Sequence, residues 1–133
     1  MSKVSKKTEY GLLFIINLQG SSYKNPISIR KISDQLGLPY RFLFQIATQL
    51  KKKKIINSKE GKGGGYYLNK DLEKINVFDI LNILNKGFDL VPCAHGANCK
   101  HKDTCGMYPG WQKMQKEIDS IFKNYSLKDL ISG

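Results

Sequence analysis

Cys93, Cys99 and Cys105 stand in one thirteen-residue segment with five residues in each gap, and the chain's two histidines, His95 and His101, lie in the same stretch. Thiolate sulfur and imidazole nitrogen hold zinc or an iron–sulfur cluster, and the same thiols serve redox chemistry. Equal gaps of five let a loop wrap a small inorganic centre, with Gly96 helping the chain fold back. They match neither the short paired knuckles of a zinc finger nor a ferredoxin's ligand run. Zinc, an iron–sulfur cluster and a redox thiol group all stay open at this point. The polar and basic residues between the cysteines argue against three thiols simply packed in a core.

A second chemical signal is charge. The chain carries a formal net charge of +11, and residues 1–70 hold all of it: fourteen lysines and arginines face Glu9, Asp34 and Glu60, whereas residues 71–133 are neutral overall. Whatever polyanion the protein meets, it meets with its first half. Its 133 residues are one domain's worth of chain, and 41% hydrophobic residues can build a modest core. No apolar run reaches the roughly 18 residues that span a bilayer, so no membrane association is expected. The basic start, Met1–Lys7, is followed by Glu9 and lacks a cleavage site, and an odd cysteine count argues against a disulfide framework. The expected compartment is the cytoplasm. No serine–histidine–acid order or paired carboxylates stand out, so no enzyme is expected.

The elements that must position these groups follow from spacing. A nearly buried helix is expected over Thr8–Leu18, then a short helix with Ser28 as N-cap, Ile29, Ile32 and Leu36 on one face, and Gly37 as a left-handed stop. A third helix starts at Pro39 and carries Leu43, Ile46, Ala47 and Leu50 on one side. Two helices joined across Leu36–Pro39 fit a helix-turn-helix, whose second helix enters the major groove. Short strands at Ile55–Ser58 and Tyr66–Leu68 flank the glycine-rich tip Lys59–Gly65 and make the hairpin a wing. The lysine run Lys51–Lys54 suits an anionic partner. A helix over Val77–Leu90 follows, ended by Pro92. Beyond the cysteine loop, Trp111, Met114, Ile118, Ile121, Phe122 and Tyr125 recur at threes and fours on one long helix, an apolar face that a homodimer would cover. Ser126 and Asp129 form a capping box for a last helix, Leu127–Ile131.

The fold expected is mainly α with a small β-hairpin wing: a winged helix-turn-helix plus a long C-terminal dimerisation helix. The DNA-binding region is residues 1–75. Residues 76–133 hold the dimerisation helices and the cysteine-rich loop, 92–106. In the recognition helix, Arg41 is the base-edge or phosphate reader, with Pro39, Tyr40 and Gln45 beside it. Lys59 and Lys62 reach phosphates or the minor groove, where Gly63 and Gly64 let the backbone approach. Phe44 stays open between a thymine-methyl contact and a place in the core.

These features together, from Thr8-Glu-Tyr-Gly-Leu12 through Gly61-Lys-Gly-Gly-Gly-Tyr66 and Asn76-Val-Phe-Asp79 to the cysteine pattern and Leu127-Lys-Asp-Leu130, resemble the bacterial winged-helix regulators of the IscR and NsrR type. The resemblance implies a cytoplasmic homodimeric transcriptional regulator, a repressor, on a pseudo-palindromic double-stranded DNA operator. It also implies a [2Fe-2S] or [4Fe-4S] cluster on Cys93, Cys99 and Cys105, answering to iron–sulfur, nitric oxide, iron or redox status. One branch places a histidine three residues after the last cysteine, where this chain has Tyr108; another uses a carboxylate from the partner's first helix, where it has Glu9. Glu9 is therefore the implied fourth ligand, with His101, His95 and a non-protein ligand as rivals. The branch with the histidine also has a glutamate where Phe44 stands, so its operator preference does not carry over. The competing function is a zinc-stabilised or thiol-redox winged-helix adaptor that binds protein.

Overall fold

Ser5 opens the first helix by accepting a hydrogen bond from the Thr8 N–H at 3.2 Å, and α1 then runs over Lys6–Ile16. The computed structural model describes residues 3–94 and 99–132. The helix begins two residues earlier than expected because Ser5, with its extended backbone, is the cap. Phe14, Ile15 and Leu18 are fully buried, but Leu13 is 42% exposed, so α1 is half-buried instead of wholly enclosed. Gly11 faces α4: a Cβ there would collide with Leu84.

Helices α2 (Ile29–Leu36) and α3 (Tyr40–Lys52) follow. Ser28 caps α2 by accepting from the Lys31 N–H, and Gly37 ends it at φ 66°. The Ser33 hydroxyl, bonded to the Leu38 carbonyl, fixes the turn between the helices. Pro39 is the N-cap of α3, and Leu43, Ile46, Ala47 and Leu50 form its buried side.

The hairpin pairs β1 (Ile56–Lys59) with β2 (Gly65–Leu68) antiparallel, with Ile56 opposite Leu68 and Lys59 opposite Gly65. Ile27 adds a bridge to Tyr66, with both backbone hydrogen bonds made at 2.9 and 2.8 Å. The wing is thereby tied to the start of α2.

A 3-10 turn at Leu72–Lys74 leads to α4 (Val77–Leu84), capped by the Asn76 side chain. The apolar spacing carries this helix to Leu90, but it stops six residues short. Asn85 turns inward, and Lys86 and Gly87 then take φ of 56° and 91°. The Asn85 carbonyl oxygen accepts from the Ser5 N–H (2.8 Å) and the Thr8 hydroxyl (3.0 Å); its amide donates to the Lys3 and Gly87 carbonyls. Helices α5 (Tyr108–Asn124) and α6 (Leu127–Ser132) complete the chain. Ser126 and Asp129 exchange reciprocal bonds at 2.9 and 3.1 Å, the expected capping box.

One apolar cluster joins Phe14, Ile46 and Leu50 of the first half to Ile80, Leu84 and Leu127 of the second. α1 packs between α3 and α4, and α4 packs on α5. The result is a winged helix-turn-helix with a long C-terminal helix. Among the described residues no helix is long and apolar enough to cross a membrane.

Candidate nucleic-acid interface and cysteine segment

The burial of Leu43, Ile46, Ala47 and Leu50 against the core leaves the opposite side of α3 to solvent, as helical periodicity requires. That side carries Tyr40, Arg41, Phe44, Gln45 and Thr48, all exposed. Phe44 is 47% exposed, which removes the core alternative for it. The exposed side of α3 and the hairpin form two walls of a groove of about 780 Å³, whose basic lining is Arg30, Lys51, Lys52 and Lys59.

Each wall is braced. Lys51 Nζ donates to the Ser58 hydroxyl at 2.7 Å and ties the end of α3 to β1. Lys59 Nζ sits 4.9 Å from the centre of the Tyr23 ring, and Tyr23 meets Tyr67 edge-on at 6.0 Å. At the hairpin tip Lys62 and Gly63 are exposed, and Gly63 has φ 75°. A side chain on Gly64 would run into the carbonyls of Lys59 and Gly61, so the tip's tight path depends on glycine there. Tyr66 lines the groove. Burial, then Tyr40 and Glu60, pushes its phenol above the ordinary value of 10.0.

The sequence reading missed Arg30, which projects from the exposed side of α2 and lies 4.7 Å from the centre of the Tyr40 ring. Its signal was weak: a single arginine between the buried Ile29 and Ile32. It also missed Thr48 and Ser58 in the lining, which follow from the exposed period of α3 and from the hairpin register.

The cysteine segment lies between α4 and α5. Cys93, Cys99 and Cys105 are free thiols, each half-buried. Two glutamines on α5 hold the approach to it. Gln115, almost wholly buried, donates to the Phe88 carbonyl and accepts from the Leu90 N–H; Gln112 donates to the carbonyls of Cys93 and Ala94 at 2.8 and 2.6 Å. His101 is exposed, and its carbonyl accepts from the N–H groups of Thr104 and Cys105. His95 lies outside the described residues. Glu9 is exposed on the first turn of α1, 3.2 Å from Lys6 Nζ. Among the described residues, no three of the cysteine, histidine, aspartate and glutamate side chains are gathered as around a metal ion. The donor chemistry fits a sulfur-ligated metal or iron–sulfur group: three unpaired, partly exposed thiols within thirteen residues.

Comparison with known proteins gives a consistent pattern. A family model described as Rrf2, iron-dependent transcriptional regulator, matches residues 4–133. The HTH-type transcriptional regulator IscR of Xenorhabdus nematophila is 25% identical over 131 residues, spanning 98% of this chain and 80% of that protein. Among solved structures, a protein from Listeria innocua is similar at a TM-score of 0.82 and 28% identity, covering 98% of this chain and 86% of that one. IscR from T. potens gives a TM-score of 0.73 at 27% identity, with the same coverages of 98% and 86%.

Proposed function

Because the chain belongs to the Rrf2 family of iron-dependent transcriptional regulators, we propose that it acts as a cytoplasmic homodimeric repressor. Residues 1–75 grip a pseudo-palindromic DNA operator, while residues 76–133 pair the copies and carry a cysteine-ligated [2Fe-2S] centre. The observation that carries this reading is the basic groove between α3 and the hairpin, in a chain matched to the family almost from end to end.

On this reading Arg41 and Gln45 read base edges, with Pro39 and Tyr40 at the entry of α3, and Lys59 and Lys62 neutralise phosphates on either side of the hairpin tip. Gly63 and Gly64 keep that tip free of side chains beside the sugar–phosphate backbone. Dimerisation has its own support. Met107, Trp111, Met114, Ile118, Ile121 and Tyr125 follow one another at alternating steps of four and three, the spacing of a coiled-coil seam. Met107, Met114, Ile121 and Tyr125 are all about half exposed or more in the single chain. A second copy is the natural cover for such a stripe.

Cys93, Cys99 and Cys105 would hold the centre through their thiolates. Glu9 from a second copy would be the fourth donor, ahead of His101 and His95, since Tyr108 occupies the position three residues past the last cysteine. When bound, such a group supplies an iron centre sensitive to iron supply, nitric oxide and oxidants. The chain's own contribution is mechanical. Gln112 and Gln115 fasten the cysteine segment and its approach to α5, and Asn85 fastens the end of α4 to the start of α1, the helix that lies against α3.

Salt titration of binding to a duplex enriched from a randomised pool tests the DNA assignment. A steep negative slope of log affinity against log salt is expected, with Lys59→Ala plus Lys62→Ala reducing its magnitude by about two, roughly one for each phosphate that is no longer neutralised. A negligible slope, or an unchanged one in the double variant, contradicts it.

A further inference from the structure

Three side chains from two helices form a stacked column in the lining of the groove. Arg30 of α2 lies with its guanidinium carbon 4.7 Å from the Tyr40 ring centre. The Tyr40 and Phe44 rings of α3 lie within 20° of parallel, with centroids 6.3 Å apart. Tyr40 is 38% and Phe44 47% exposed, although both rings would gain by burial. Arg41 and Gln45 share the same exposed side of α3, and Lys51, Lys52 and Lys59 line the same groove, against the single acidic group of Glu60. The charge around the column therefore suits a duplex whose phosphates flank the apolar rings.

We infer that Arg30, Tyr40 and Phe44 are one specificity unit that reads thymine methyl groups in the operator's major groove; the inference rests on the DNA-binding reading above. A phenyl ring has no donor or acceptor. Pressed against the guanine, cytosine or adenine edge it would strip water from polar groups without replacing their hydrogen bonds. Of the groups displayed in the major groove the thymine C5-methyl is the largest apolar one and projects furthest, so that is the group Phe44 can favour. Tyr40 stacks beside Phe44 and limits its rotamers. Arg30 is a positioning residue: its guanidinium carbon lies over the Tyr40 ring, and cation–π attraction there steadies the Tyr40–Phe44 pair.

Replacing single thymines by deoxyuridine, which lacks only the methyl, in the duplex enriched from a randomised pool tests the unit. At the positions facing Phe44 the parent protein is expected to lose affinity about fourfold per methyl removed, the worth of one buried methylene-sized group. Phe44→Ala is expected to bind the thymine and uracil duplexes equally. Arg30→Lys keeps the charge but not the stacking plane, so it should keep the parent's salt slope while its thymine preference falls toward unity. A thymine preference that is equal in Phe44→Ala and the parent, or absent from the parent at every position, overturns the unit while leaving DNA binding intact. Failure to enrich any duplex, with no salt-dependent binding, would instead overturn the regulator reading and the unit with it.

Discussion

Asn85 is the residue that ties the start of the described chain to the loop after α4. Its amide is buried and makes four hydrogen bonds, to groups near the start of α1 and to the loop after α4. Replacing it by leucine keeps the bulk but leaves the Ser5 N–H without its acceptor and the Lys3 and Gly87 carbonyls without their donor. Chemical denaturation should show a loss of about 1–3 kcal/mol, the cost of unsatisfied buried polar groups; a variant as stable as the parent would mean that water replaces the side chain. Tyr66 governs a different property. Its phenol titrates above 10.0 in the folded chain, chiefly through burial, so above pH 10 the unfolded chain gives up that proton first. The stability that this group contributes is complete below the unfolded value and is lost as pH rises through the folded one. As pH rises above about 10 the parent should therefore lose stability more steeply than Tyr66→Phe. Equal slopes would remove Tyr66 as a cause.

Among the elements, the end of α3 shows how a lysine run also serves the backbone. Lys54 takes φ 62° and donates its N–H to the Lys51 carbonyl, while the Ile55 N–H returns to the Leu50 carbonyl. These bonds and the buried Leu50–Ile55 pair form a left-handed helix stop in which glycine is the usual residue. Lys54→Gly should raise stability by about 1 kcal/mol in a denaturant titration, since only glycine takes that conformation without strain; lower stability would show that the lysine side chain matters more than its backbone.

The same elements show what was legible in the sequence. Ser28, Gly37, Ser126 and Asp129 act on neighbours within five residues, and their helices begin and end where those residues place them. The end of α4 was not legible. Its stop depends on Asn85 meeting Ser5 and Thr8, 80 and 77 residues away along the chain. The Ile27 bridge and the Arg30 stack were missed for the same reason, since their partners lie on other elements. Cysteine type and spacing announced the thiol segment directly. A fourth donor leaves no such local mark, because Glu9, on α1, is remote in sequence from the segment it would complete.

At the level of the whole molecule, α5 contributes little to its own subunit's core: Gln115 is its one buried residue, and Ile121 is 54% exposed. Ile121→Glu should leave helix content unchanged and convert a dimer to a monomer in sedimentation, since it places like charges within the proposed seam. A dimer of undiminished strength would move the contact elsewhere.

The reading of the whole protein rests on three thiols acting together as ligands, and that is measured most directly as iron and acid-labile sulfide per chain in protein purified without oxygen, parent beside Cys99→Ala. Equal amounts of iron and sulfide with visible absorption are expected in the parent, falling sharply in Cys99→Ala. Colourless parent protein holding zinc, or an iron content untouched by the substitution, would contradict it.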